Sequence, residues 1–144
     1  MTDTVFHFER LYPLQDEVLD ALSSLDTGLY LTGGTAASRG YLAHRISDDL
    51  DLFANDSDEF PLWSDRVVHA LAQRGEWTCT VLVRELRFVR AIVRHDDVEL
   101  KIEMVNDVPS RVGSVVVHPV LGRLDSAENI LANKITAVLD RSEP

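Results

Sequence analysis

Two short stretches decide how this chain reads: Leu31-Thr32-Gly33-Gly34-Thr35-Ala36 and Asp49-Leu50-Asp51-Leu52-Phe53, with fourteen residues between Gly34 and Asp49. In the first, the apolar run Leu29-Tyr30-Leu31 predicts a short buried strand. The glycine pair breaks it, and Thr35 to about residue 43 reads as a helix with Ala36, Ala37 and Leu42 available to pack. Glycines let an anion approach the backbone, and the free N–H groups of a helix's first turn are anion donors. The Thr35 hydroxyl adds a further donor. In the second stretch, residues i and i+2 of a strand share a face. Asp49 and Asp51 therefore project together, while Leu50 and Leu52 point to the core. Aspartate is depleted in strands, and two carboxylates on one face repel unless a cation lies between them. Magnesium is held by one or two carboxylates plus waters and phosphate oxygens. Taken singly, each stretch also reads as a tight turn or a polar strand face. In this order and at this distance they predict one site for nucleotide phosphates and a divalent cation.

Outward from there, Leu14, Val18, Leu19, Leu22 and Leu25 recur at helical spacing, with Pro13 suited to a first turn, and predict a helix over 13–25. Phe60 to Arg74 reads as a helix started near Pro61 and ended at Gly75. Trp77–Val83, Phe88–Arg94 and Val98–Val105 read as strands, made antiparallel neighbours by the turn-like segments around Glu85 and His95-Asp96-Asp97. Val115–Val117 is a short strand candidate. Asp125 or Ser126 caps a final helix along which Ile130, Leu131, Lys134, Ile135, Val138 and Leu139 are spaced. This final helix packs either on the sheet or on a helical segment outside the chain. The order predicts an α/β (α+β) class, a mixed β-sheet flanked by helices, in a single domain over 1–144.

A third carboxylate would complete a two-metal arrangement. On the 98–104 strand, Glu99, Lys101 and Glu103 share one face, and Val98, Leu100, Ile102 and Met104 the other. Glu103 is the candidate third acid and Lys101 a candidate phosphate contact, against the reading of a solvated strand with alternating charges. Arg45 and Ser47 lie just before the acidic strand, where Arg45 suits an oxyanion and Ser47 a phosphate or a turn. Lys134 either reaches solvent past an apolar stripe or contacts phosphate. Asp48 falls on the opposite face from the pair, and His44 reads as a structural or surface histidine.

The net charge of −10 argues against a surface that grips nucleic acid as a whole. Arg84, Arg87, Arg90 and Arg94 are dense enough for a basic patch, but read more simply as a solvated face. The single cysteine, Cys79, cannot form an internal disulfide and reads as a buried thiol. No apolar run spans a bilayer and no signal segment opens the chain, so a cytoplasmic protein without membrane contact is expected. Neither a Walker loop nor a Gly-x-Gly-x-x-Gly turn is present.

Gly33-Gly34 followed by Asp49-x-Asp51 resembles the signature of the DNA polymerase β-like nucleotidyltransferase superfamily. More narrowly, residues 31–36, then His44-Arg45-Ile46-Ser47-Asp48-Asp49-Leu50-Asp51-Leu52-Phe53, then Glu128-Asn129-Ile130-Leu131-Ala132-Asn133-Lys134-Ile135 with Leu139-Asp140-Arg141, resemble the AbiEii/AbiGii toxin family of nucleotidyltransferases. The resemblance runs from about residue 29 to the end and is loose between 54 and 97. It implies magnesium-dependent transfer of a nucleoside monophosphate from an NTP to a hydroxyl acceptor such as tRNA or protein, in a toxin–antitoxin or abortive-infection setting. Asp49, Asp51 and Glu103 would hold two magnesium ions. Gly33, Gly34 and Thr35 would hold the triphosphate, with Arg45, Ser47, Lys101 and Lys134 near the nucleotide. The family continues past its Asp-Arg motif into a helical region, which the 144 residues are expected to lack. That expectation leaves room for an antitoxin or helical partner. It also leaves an alternative: a non-catalytic module of the same fold that binds nucleotide or acts as an antitoxin-like partner.

Overall fold

The computed structural model describes residues 7–42, 49–109 and 113–133. A wide π-type turn, His7–Leu11, leads into α1, Tyr12–Ser23, with Pro13 in its first turn. Next come β1 (Tyr30–Thr32) and α2, an α-helical turn at Gly33–Thr35 continued by wider turns over Ala36–Leu42. β2 (Leu50–Asn55) and α3 (Phe60–Ala72) follow. The strands β3 (Thr78–Arg84), β4 (Phe88–His95) and β5 (Val98–Asp107) form a meander. The hairpin β6 (Val116–His118) and β7 (Gly122–Leu124) precedes the last described helix, α4, residues 127–133.

The strands make one mixed sheet in the order β3-β4-β5-β2-β1-β7-β6. β2 runs parallel to β5 and β1 parallel to β7; the remaining pairs are antiparallel. The chain leaves β2, crosses through α3 and the β3-β4 hairpin, and returns beside β2 as β5. That crossover brings residues fifty-two positions apart into register: Leu50 faces Ile102, Asp51 faces Glu103 and Leu52 faces Met104.

Alternation decides the two faces. Leu31, Leu52, Met104 and Leu124 are joined by register into one row, all buried. With Leu50, Leu100 and Ile102 they meet Leu14 and Val18 of α1 and Val67 and Leu71 of α3 in the main core. Burying side chains of this size supplies about 1.5–3 kcal/mol each, which holds the helices to that face. The expected antiparallel meander and the inward set Val98, Leu100, Ile102 and Met104 are both present.

Some local expectations need correction. α3 closes at Gln73, whose N–H donates to the His69 carbonyl, rather than at Gly75, which does not adopt a left-handed φ. β7 has no counterpart in the sequence reading; three residues are too few to show a period. The helix after β1 starts at Gly33 and widens from Ala36 onward. Its backbone lies close on β7, where a Cβ at Gly40 would stand 2.8 Å from Leu124 Cδ2. In α4, Ile130 is buried but Leu131 is 60% exposed. The helix is turned so that Asn129, not Leu131, faces inward, because the Asn129 amide bonds to Asp125.

Candidate active site

On the sheet face opposite the core, register builds a polar row across four strands: Thr32 of β1, Asp51 of β2, Glu103 of β5 and Arg90 of β4. Asp49 lies two residues before Asp51 and Lys101 two before Glu103, so this pair extends the same face. Lys101 Nζ is 3.2 Å from Asp49 Oδ2 and 3.6 Å from Glu103 Oε1. Arg90 approaches Glu103 Oε2 with Nη2 at 2.9 Å and Nε at 3.2 Å. Two cations thus face three carboxylates. The uncompensated charge is expressed at Asp51. Burial, then repulsion from Glu103 and Asp49, pushes its carboxyl from 3.8 up to about 6, against a smaller opposing pull from Lys101. Lys101 is shifted upward by its hydrogen bond and charge pairing with Asp49.

The glycine turn abuts this row. Gly33 has φ +75°, a conformation that L side chains rarely adopt, and a Cβ built there would land on Asp51 Oδ2. The absent side chain therefore makes room for the carboxylate as well as for the turn. Thr35 is fully buried, and its hydroxyl donates to the main-chain carbonyl of Asp49. Its side chain ties the turn to the acidic strand. Gly34 lies between the two, in the first turn of α2. Thr32, the residue before that helix, makes no side-chain hydrogen bond to the first turn.

The donor set suits a hard divalent cation: carboxylate oxygens on one face, half-buried and mutually repulsive. Among the described residues no three acidic, histidine or cysteine side chains converge on one point, because Asp49 and Glu103 are turned toward Lys101 and Arg90. The residues suit the ion in chemistry, and holding it would require Asp49 and Glu103 to turn away from those two pairs. Arg45, Ser47 and Lys134, with His44 and Asp48, lie outside the described residues.

The arginine cluster is consumed in ion pairs: Arg84 with Asp65, Arg87 with Asp56, Arg90 with Glu103 and Arg94 with Glu99. This is the solvated, charge-paired face and not a free basic patch. Cys79 is half-buried, and burial pushes its thiol upward, in keeping with an unreactive thiol. No described helix is long and apolar enough to cross a membrane.

The sequence model of the nucleotidyl transferase AbiEii toxins of type IV toxin–antitoxin systems matches residues 17–144. The chain belongs to the AbiEii family. JHP933 from Helicobacter pylori is similar in structure at TM-score 0.67 and 23% identity, over 99% of this chain and 61% of that one. MenT4, a nucleotidyltransferase toxin from Mycobacterium tuberculosis H37Rv, is similar at TM-score 0.56 and 20% identity, over 95% of this chain and 59% of that one. At these identities the likeness shows the fold, a mixed α+β sheet shared with nucleotidyltransferases. This AbiEii chain spans about three fifths of the length of those solved structures. No curated protein matches it.

Asp125 and Thr32 are functional candidates that sequence reasoning missed. The signal for Thr32 was its place directly before Gly33. Asp125 read only as a helix cap, and its carboxylate does accept the Ser126 N–H at 2.8 Å. The hydroxyl of Ser126 is the N-cap proper, accepting the Asn129 N–H at 3.1 Å.

Proposed function

We propose that this AbiEii domain transfers a nucleoside monophosphate from an NTP to a hydroxyl acceptor, tRNA or protein, as a toxin held in check by an antitoxin in the cytoplasm. The observation that carries it is the row Asp51–Glu103, with Asp49 beside it, set directly against a Gly33 that has no room for a side chain. In this reading Asp49, Asp51 and Glu103 hold magnesium. When bound, magnesium supplies charge neutralisation at the phosphates and acidifies the acceptor hydroxyl. The Gly33-Gly34 backbone and the first-turn N–H groups of α2 receive the triphosphate. Lys101, released from Asp49, turns to a phosphate oxygen, and Arg45, Ser47 and Lys134 complete the nucleotide contacts. The acceptor oxygen bonds to the α-phosphorus, the α–β bridging P–O bond breaks, pyrophosphate leaves, and the hydroxyl proton passes to solvent. Positioning and charge compensation carry most of the acceleration.

A second reading has its own support. Asp49 and Glu103 are already neutralised by Lys101 and Arg90, as suits a module that binds nucleotide without turnover. Incubation with magnesium, each labelled NTP and total RNA or lysate separates the two. Labelled product that disappears with Asp51→Asn supports the transferase. Thermal stabilisation by NTP without any product supports the binding module, and neither signal would remove both.

A further inference from the structure

We infer that Asp125, acting through Thr32, is a positioning residue that sets the glycine turn for a nucleoside triphosphate; this rests on the nucleotidyl-transfer reading. Thr32 is the antiparallel register partner of Asp51 and the residue immediately before Gly33. It occupies the position from which a threonine hydroxyl ordinarily caps the first turn of the following helix. Here that hydroxyl makes no such bond and donates instead to Asp125 Oδ2 at 2.8 Å. The first turn of α2 is thereby left uncovered by its own N-cap side chain.

Asp125 holds the turn from both ends. Its N–H donates to the Leu31 carbonyl at 2.8 Å, one residue before Thr32. The Tyr41 hydroxyl, from the far end of α2, donates to the Asp125 carbonyl. Asn129 Nδ2 and the Ser126 N–H, at 2.8 Å each, fix the carboxylate itself. Asp125 and Ser126 are both buried, Asp125 completely. A carboxylate withdrawn from water is costly, and an apolar pair could fill the same space between β1 and α4. What an apolar pair could not supply is direction. Hydrogen bonds to a charged acceptor are short and orienting, and backbone N–H groups hold an anion only when they are aimed at it. The group oriented here is the backbone that leads into Gly33-Gly34.

Thr32→Val keeps the side chain's shape and removes the hydroxyl; Thr32→Ser keeps the hydroxyl and removes the methyl. NTP affinity is measured by equilibrium dialysis with magnesium and a labelled NTP, and KM and kcat by transfer onto the acceptor. The inference expects Thr32→Val to raise Kd and KM about tenfold with little change in kcat, and Thr32→Ser to stay within about twofold of the parent. Asp125→Asn, which keeps the volume, should weaken NTP binding in the same direction and carries the test should Thr32→Val not fold. A Thr32→Val protein that melts earlier yet binds NTP as the parent does marks a purely structural hydrogen bond and overturns the inference alone. Absence of NTP binding by the parent chain overturns it together with the reading it rests on.

Discussion

Asp51 carries a stability penalty that its neighbours impose. Because its carboxyl titrates near 6 in the folded chain against 3.8 when free, the folded state binds the proton more tightly. Protonation therefore favours folding, and the destabilisation is fully present above about pH 6 and fades as pH falls toward about 4. Asp51→Asn should abolish transfer and yet raise stability at neutral pH, by on the order of 2 kcal/mol. Urea unfolding of both proteins across this range would show the gap closing as pH falls; an Asn variant less stable at neutral pH would contradict the charge argument. Gly33 makes the complementary case. Gly33→Ala meets both an unfavourable φ, worth about 1 kcal/mol, and the Asp51 carboxylate. In a double-mutant cycle, adding Asp51→Gly should recover part of the loss, because it removes the atoms in the way. Strict additivity would place the clash elsewhere.

Within β5 the two faces have different jobs, and substitutions on them should differ in kind. Ile102 is wholly buried between sheet and helices. Ile102→Ala should cost about 2–5 kcal/mol of unfolding free energy, the range for truncating a packed core residue. Glu99, on the other face, makes an exposed pair with Arg94 at 2.8 Å. Glu99→Ala should change stability by less than about 1 kcal/mol. Glu103, on the same face but 18% exposed and engaged by both Arg90 and Lys101, should lose activity when changed to Gln. Denaturation midpoints and transfer rates for the three variants test this, and a Glu103→Gln protein with full transfer would remove Glu103 from the site.

For the molecule as a whole, charge and pairing set what it can grip. With a net charge of −10 and the four clustered arginines paired to acids, it should not bind non-specific duplex DNA at physiological salt. Retention with a steep salt dependence would show that those pairs open for a polyanion. Binding at one defined site instead raises stability by RT ln(1 + [L]/Kd), about 2.7 kcal/mol at a hundredfold excess of NTP over Kd. A melting shift that needs both magnesium and NTP, and disappears in Asp51→Asn, is the expected pattern.

Much of this was legible in the residues themselves. Alternation along 50–54 and 98–104 told which side chains face the core, because a strand's two-residue period is a local property of the backbone. The glycine pair and the two aspartates announced a strand–turn–helix and an acidic strand for the same reason, and their ordered resemblance named the family. Other features depend on distant segments meeting. That Asp51 stands beside Glu103 and not one residue away depends on a parallel register between β2 and β5, set by packing across the α3 crossover. That the turn's Thr35 bonds to Asp49 depends on β1 pairing with β2, and that Thr32 bonds to Asp125 some ninety residues on depends on β7 lying against β1. β7 is too short to announce itself, and hydrogen-bond partners are chosen by proximity in space. The sequence by itself determined the faces, the turn and the acids. Only the tertiary structure decided which acid neighbours which cation, and what holds the turn in place.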